Sequence, residues 1–175
     1  MLDREQSKPS VDTEPNDRTT AGRLSEPQSS FVSAGYEHAM NNPFTVSVPV
    51  RYRDLDPLNH VNHAVYASYL EIARTDYLEE VVGIAAENIS FVIANLEIDY
   101  RRPIHKGDDP DVSLRVARLG DSSCTMEYEI RVGDDVVATA ETTMVHIDPD
   151  TKRSAPLPEE IREPIEAYEG LEAPA

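Results

Sequence analysis

Between Arg51 and Leu78 the chain reads RYRDLDPLNHVNHAVYASYLEIARTDYL. Two carboxylates, Asp54 and Asp56, stand two residues apart, a polar turn follows, and then a long amphipathic segment begins. The first turn of a helix carries backbone N–H groups with no intrahelical partner, and its dipole favours negative charge. An acid or nucleophile beside such donors is the minimum equipment for attacking an activated carbonyl: one group attacks or activates, the others receive the oxyanion.

Other residues in and beyond this run carry weaker chemical signals. His60 and His63 are three apart, but zinc needs three or four convergent ligands. Cys124 is distant and the chain has no CxxC or HExxH pattern, so no metal is expected. Cys124 is also the single cysteine, which excludes an internal disulfide. If Asp54 and Asp56 both lie on a strand they share one face; the simpler role for Asp54 is to hold the turn or to pair with Arg51 or Arg53. Glu71 precedes Arg74 by three positions, the spacing of an intrahelical ion pair.

These groups need elements to position them. Val46, Val48 and Val50 alternate with Thr45, Ser47 and Pro49, which predicts a strand from Phe44, and the proline suggests an edge or a bulge. Tyr66, Tyr69, Leu70, Ala73, Tyr77 and Val81 recur at helical spacing and predict a helix over about Ala64 to Val82, with Asn62 as N-cap and Gly83 past its end. From Phe91 the chain reads as four strands: Leu96-Ile98-Tyr100, Val112-Leu114-Val116, Met126-Tyr128-Ile130-Val132, and Val137 to Ile147. Turn residues divide them, and the short links predict antiparallel hairpins in succession. The expected fold is α+β, a curved five-stranded antiparallel sheet wrapped around one long helix. Such a sheet leaves edges open, so self-association is expected. Residues 1–42 are polar and poor in aliphatics, and are expected to be a disordered arm. The domain is expected over 43–150, followed by a Pro/Glu-rich tail, 151–175, with a short helix near Glu159 to Tyr168.

Charge limits the partners. The chain has 33 acidic residues against 16 basic ones, a formal charge of −17, and its only lysines are Lys8, Lys106 and Lys152. Such a surface disfavours nucleic acid and anionic membranes. No apolar run approaches the roughly 20 residues that span a bilayer, and no signal-peptide core is present, which points to the cytoplasm. Acidity spread along a lysine-poor chain also suits concentrated salt, where the Debye length falls to about 3 Å and self-repulsion is screened.

The segment Tyr52 to Arg74 resembles the acyl-CoA thioesterases of the hotdog fold, in the 4-hydroxybenzoyl-CoA thioesterase group. The resemblance rests on Tyr52, Asp54, Asp56, His60, Val61, Asn62, His63, Tyr66, Tyr69, Glu71, Ala73 and Arg74 at matching spacing. It continues through DYRRPIHKGD, LGDSSCTMEYEI and TTMVHIDPDTKRSAPLP, over roughly residues 44–160. Where the family usually has a turn glycine this chain has Asn59, a residue that tolerates left-handed backbone angles. The resemblance implies hydrolysis of an acyl-CoA thioester, with no cofactor beyond the coenzyme A of the substrate, by a homodimer or larger homo-oligomer. It implies Asp56 as the catalytic carboxylate, acting as nucleophile or as general base, and the backbone N–H of His63 as oxyanion donor. Glu71 is a reserve catalytic candidate, because some hotdog thioesterases use a helix glutamate. His60, Asn62 and Tyr66 would line the substrate pocket, and Arg101, Arg102 and Lys106 could meet the phosphates of coenzyme A. Two rivals are an enoyl-CoA hydratase of the same fold, whose Asp-x-Asn-Pro-x-His signature residues 54–60 loosely resemble, and a non-enzymatic acyl-CoA binding protein.

Overall fold

The structure, a computed structural model, describes residues 43–85, 88 and 90–171; the expected arm at 1–42 lies outside the described residues. In chain order the elements are β1 (Phe44–Ser47), a 3-10 turn (Tyr52–Asp54), α1 (His63–Tyr77), one π-helical turn (Leu78–Val82), β2 (Phe91–Tyr100), β3 (Asp111–Leu119), β4 (Ser123–Val132), β5 (Asp135–His146) and α2 (Glu159–Glu169). The helix starts and stops where the sequence signals it. Asn62 caps it by accepting the Ala64 N–H at 3.0 Å, and Gly83 leaves the helical segment at φ 78°.

The five strands form one antiparallel sheet in the order β1-β3-β4-β5-β2. This corrects the expected run of hairpins. Only β3, β4 and β5 follow one another as neighbours; β2 pairs with β5 at the far edge. The link between β2 and β3, residues 101–110, contains Pro103 and Pro110 and is longer than the two to five residues of a hairpin loop. It crosses the end of the sheet instead, fastened by the Val61 N–H on the Ile104 carbonyl at 2.8 Å and the Val48 N–H on the Pro110 carbonyl at 2.9 Å. β1 is shorter than its valine alternation suggested. It occupies the other edge, and Pro49 follows it outside the ladder.

One face of the sheet meets the helix. Val112, Leu114 and Val116, then Met126, Tyr128 and Ile130, then Ala138 and Met144 are buried against Tyr66, Tyr69, Leu70, Ala73 and Tyr77 of α1. α1 rests on the β1 and β3 side of the sheet. The inner face of β2 is consequently left open, with Ile93, Leu96 and Tyr100 all exposed.

The segment after 150 is part of the same body. Leu157, Ile161 and Ile165 are buried, and the Glu169 carboxylate, 4% exposed, accepts the Tyr77 hydroxyl at 2.8 Å and the Val116 N–H at 3.0 Å. The β1 ladder ends at the Phe44–Leu114 pair, so the β3 amides beyond it have no strand beside them. α2 covers that edge, and Glu169 satisfies the Val116 donor. Among the described residues no helix is long and apolar enough to cross a membrane.

Candidate active site

The two carboxylates have different environments. Asp54 ends the 3-10 turn rather than a strand, so it shares no strand face with Asp56. It is buried; its Oδ2 accepts the Arg51 N–H at 2.8 Å and the Tyr69 hydroxyl at 3.1 Å, and its carbonyl accepts the Asn62 N–H at 2.8 Å. Asp54 thus ties the turn to the start of α1, as its simpler reading expected. Burial, and then the Asp54 carboxylate, push the Tyr69 hydroxyl well above the usual phenol range, so it stays a donor.

Asp56 organises the loop that follows. Its Oδ1 accepts the Leu58 N–H at 2.8 Å and the His60 N–H at 3.0 Å, its own N–H donates to the His60 carbonyl at 2.7 Å, and its carbonyl accepts the Asn59 N–H at 3.0 Å. Closing so tight a ring requires Asn59 at φ 64°, the left-handed conformation its side chain tolerates. Both side-chain hydrogen bonds go to Oδ1. Oδ2 has none among the described residues and is the oxygen left for chemistry.

The helix start offers a matching donor. The Ala64 N–H is taken by the Asn62 side chain and the Val65 N–H by the Asn62 carbonyl, whereas the His63 N–H has no hydrogen bond among the described residues. From β2, the Tyr100 hydroxyl donates to the His63 carbonyl at 3.0 Å and so ties the edge strand to the helix tip.

These groups meet around a cavity of about 320 Å³ lined by Asp56, His60, Val61, His63, Tyr66, Tyr100, Arg101, Arg102 and Pro103. Tyr66 and Tyr100 form one wall, ring edge to ring face at 5.0 Å. The Tyr66 hydroxyl is raised from its ordinary pKa chiefly by burial, against the lowering effect of its hydrogen bond to Ile104. His60 leans on His105 across the crossing link, with ring centroids 4.9 Å apart.

The structure brings together Asp56, His60, His63, Tyr66, Arg101 and Arg102 of the residues singled out by sequence. It separates three others. The Asn62 side chain caps the helix and does not line the cavity. Lys106 lies over the Tyr52 ring, 5.9 Å from its centroid. Glu71 is ion-paired with Arg74 and lines a different cavity. Arg102 is engaged by Asp135 at 2.5 Å, and Arg101 donates to Thr139 at 3.3 Å, so both are held at the rim. The single thiol is inert: burial pushes Cys124 up to about 12. Among the described residues no group of three or more His, Cys, Asp or Glu side chains could hold a metal ion. Sequence reasoning missed Tyr100 and His105. Their only signal was position, one at the end of an alternating strand and the other in a turn whose crossing path was not visible.

Comparison with known proteins bears on the family and the fold. A family model described as the thioesterase-like superfamily matches residues 50–165. The long-chain acyl-CoA thioesterase FadM of Escherichia coli is 36% identical over 68% of this chain and 94% of its own length. The 1,4-dihydroxy-2-naphthoyl-CoA hydrolase of Synechococcus elongatus is 28% identical over 65% of this chain and 88% of its own length. Among solved structures, a Thermus thermophilus thioesterase complexed with coenzyme A and Zn superposes with a TM-score of 0.68 at 43% identity, covering 74% of this chain and 96% of that one.

Proposed function

The chain belongs to the thioesterase-like superfamily, and from that premise we propose that it hydrolyses an acyl-CoA thioester to a free acid and coenzyme A, with Asp56 as the working carboxylate. The observation that carries the residue assignment is the division of labour around one cavity: Oδ1 of Asp56 holds the loop, Oδ2 is uncommitted, and the first open N–H of α1, that of His63, belongs to the same lining. The thioester carbonyl oxygen would sit at the His63 N–H. Asp56 would take a proton from water as the water oxygen attacks the carbonyl carbon, or attack that carbon itself to form an anhydride that water then opens. Negative charge gathers on the carbonyl oxygen, where one preorganised donor contributes about 3–4 kcal/mol. As the C–S bond breaks the sulfur leaves as thiolate and takes the proton held by Asp56, or in the anhydride route a proton from solvent. Arg101 and Arg102 at the cavity rim are placed to meet the phosphates of coenzyme A.

Two further features belong to this reading. The open edge of β2 and its exposed Val92, Ile93 and Leu96 suit pairing with a second copy, giving at least a dimer; sedimentation equilibrium reads that state. On the outer face of the sheet Glu97 and Glu141 stand directly opposite one another across β2 and β5, while Glu127 beyond them on β4 is ion-paired with Arg115; the Glu97–Glu141 contact is one that like-charge repulsion disfavours in dilute buffer and molar salt relieves.

The deciding experiment offers acyl-CoA and crotonyl-CoA in high salt, following free thiol and loss of the enoyl double bond side by side. Thiol release that depends on Asp56 supports the hydrolase. Hydration without thiol release supports the hydratase, and saturable binding without turnover supports a binding protein.

A further inference from the structure

Asp56 and the His63 N–H provide a carboxylate and an oxyanion donor, but hydrolysis also needs a place for water. β2 ends at Tyr100, whose side chain faces the helix side of the sheet because it stands opposite Ala138, a core residue of β5. The strand end is fixed: the N–H groups of Arg101 and Arg102 both donate to the Val137 carbonyl, at 2.9 and 3.1 Å. The Tyr100 ring meets the buried Tyr66 ring edge to face at 5.0 Å, and its hydroxyl donates to the His63 carbonyl at 3.0 Å. The phenol is therefore held by strand, ring and hydroxyl, although the residue is half exposed.

A carbonyl oxygen can only accept, so the single Tyr100 proton is committed to His63. The phenol oxygen keeps its lone pairs, and Tyr100 lines the same cavity as Asp56. The nitrogen and carbonyl oxygen of one helical residue stand about 3.5 Å apart by standard bond lengths and angles. With the 3.0 Å hydrogen bond added, the phenol oxygen lies within about 6.5 Å of the oxyanion donor. A thioester carbon bound at that donor stands about 4 Å from its nitrogen, an attacking water about 3 Å from the carbon, and a hydrogen bond from that water to the phenol spans about 2.8 Å. Such a bent path covers up to about 10 Å, so one water bridges the phenol and the carbonyl carbon.

We propose that Tyr100 holds the attacking water together with Asp56, and that Asp56 therefore acts as general base rather than as nucleophile. This rests on the thioester-hydrolase reading and selects one of its two routes. One water hydrogen points at the Tyr100 oxygen and the other at Oδ2 of Asp56, which aims a water lone pair at the carbonyl carbon. As the new C–O bond forms, the carbonyl electron pair moves onto the oxygen at the His63 N–H, and the proton facing Asp56 passes to Oδ2. On collapse the C–S electron pair leaves with sulfur, which takes that proton from Asp56. The hydrogen facing Tyr100 stays on the released carboxylic acid, which ionises to solvent. Tyr100 accepts a hydrogen bond and keeps its own proton, so its role needs no change of charge. The mounting of Asp56 favours the same route. Its Oδ1 is fastened by the Leu58 and His60 N–H groups, an orientation that suits accepting a proton, whereas an anhydride would pull the carboxylate to covalent distance against both bonds.

The test is Tyr100→Phe in the full chain, assayed by thiol release from an acyl-CoA with and without hydroxylamine as a competing nucleophile, after subtraction of the enzyme-free rate. Phe keeps the ring against Tyr66 and removes the oxygen. We expect kcat to fall about 10- to 100-fold, with KM within about threefold of wild type. Hydroxylamine attacks through a nitrogen lone pair and needs no second hold, so the ratio of hydroxamate to acid should rise about tenfold or more in the variant. A Tyr100 that merely tied the helix tip would leave that ratio unmoved, because a displaced His63 N–H slows both nucleophiles alike. A melting curve verifies that the variant folds. Unchanged kcat, or equal ratios in wild type and folded variant, overturns the proposal while leaving the hydrolase intact. A burst of one thiol per site before steady turnover of the wild type marks acyl transfer to Asp56 and overturns it as well, and this measurement stands whether or not the variant folds. Absence of thiol release by the wild type from every acyl-CoA overturns the hydrolase reading and the water-holding role with it.

Discussion

Replacing Asp56 by Asn and by Ala separates its two oxygens. The Asn carboxamide keeps an acceptor where Oδ1 receives the Leu58 and His60 N–H groups, at 2.8 and 3.0 Å, and puts a non-basic nitrogen in place of Oδ2. Ala removes both. Each loop hydrogen bond contributes about 1 kcal/mol for a half-exposed acceptor, so Asp56→Ala should cost about 2 kcal/mol. For a domain of this size that is a fall in Tm of about 6–10 °C, whereas Asp56→Asn should stay within about 2 °C of wild type. Turnover should follow a different pattern. Both variants lose the group that attacks or activates water, a loss of about 10²–10⁴ in kcat, and the two should lie within a few-fold of each other. The measurements are thiol release under saturating acyl-CoA and a thermal melt in the same high-salt buffer. An Asn variant that keeps more than a tenth of wild-type turnover would refute the catalytic assignment. An Asn variant as destabilised as the Ala variant would refute the division between Oδ1 and Oδ2.

Asn59 holds φ 64°, so Asn59→Gly should be near neutral in Tm, while Asn59→Val should lose about 1–2 kcal/mol and loosen the Asp56 loop, read as a lower Tm and lower kcat. Burial raises the Glu169 carboxyl above its ordinary value, against the lowering effect of the Val116 N–H, the Tyr77 hydroxyl and Arg115. The folded state therefore holds this proton more tightly than the unfolded chain. The stabilisation from this group is complete below the ordinary carboxylate pKa of about 4.3 and is lost as pH rises through the raised value. Glu169→Gln should abolish that slope, so the stability difference between wild type and variant should change across this window in urea titrations; a constant difference would contradict it. The Glu97–Glu141 contact predicts that Tm rises with KCl into the molar range and that Glu141→Gln weakens the dependence; a protein most stable in dilute buffer would oppose the salt reading.

What could be read in the sequence and what could not divide along the range of the forces involved. The Asn62 cap, the Gly83 exit, the left-handed Asn59 and the Glu71–Arg74 pair are each settled within four residues, and the structure shows all of them. The alternation in β3 and β4 is equally local, because each strand has one face on the core. β2 was misplaced because alternation states that a strand has an apolar face but not which neighbour it joins. The cost of a wrong neighbour appears only when the 101–110 link is asked to make a hairpin. That Asp54 holds the turn was the simpler reading of the sequence, but its partner was not visible there: its carboxylate is satisfied through Tyr69, fifteen residues away. α2 is the extreme case. Its helix near Glu159 to Tyr168 was legible, but its docking was not: what holds it is the missing strand beside Val116, a vacancy that exists only once β1 has stopped at Phe44. The candidate site shows the same division. Asp56 and the helix tip come from one continuous segment and were legible together. Tyr100 closes the cavity from the opposite edge of the sheet, and with it comes the apolar strip on β2. The candidate reacting groups are therefore set within one segment, and the cavity around them is closed by the pairing of distant strands.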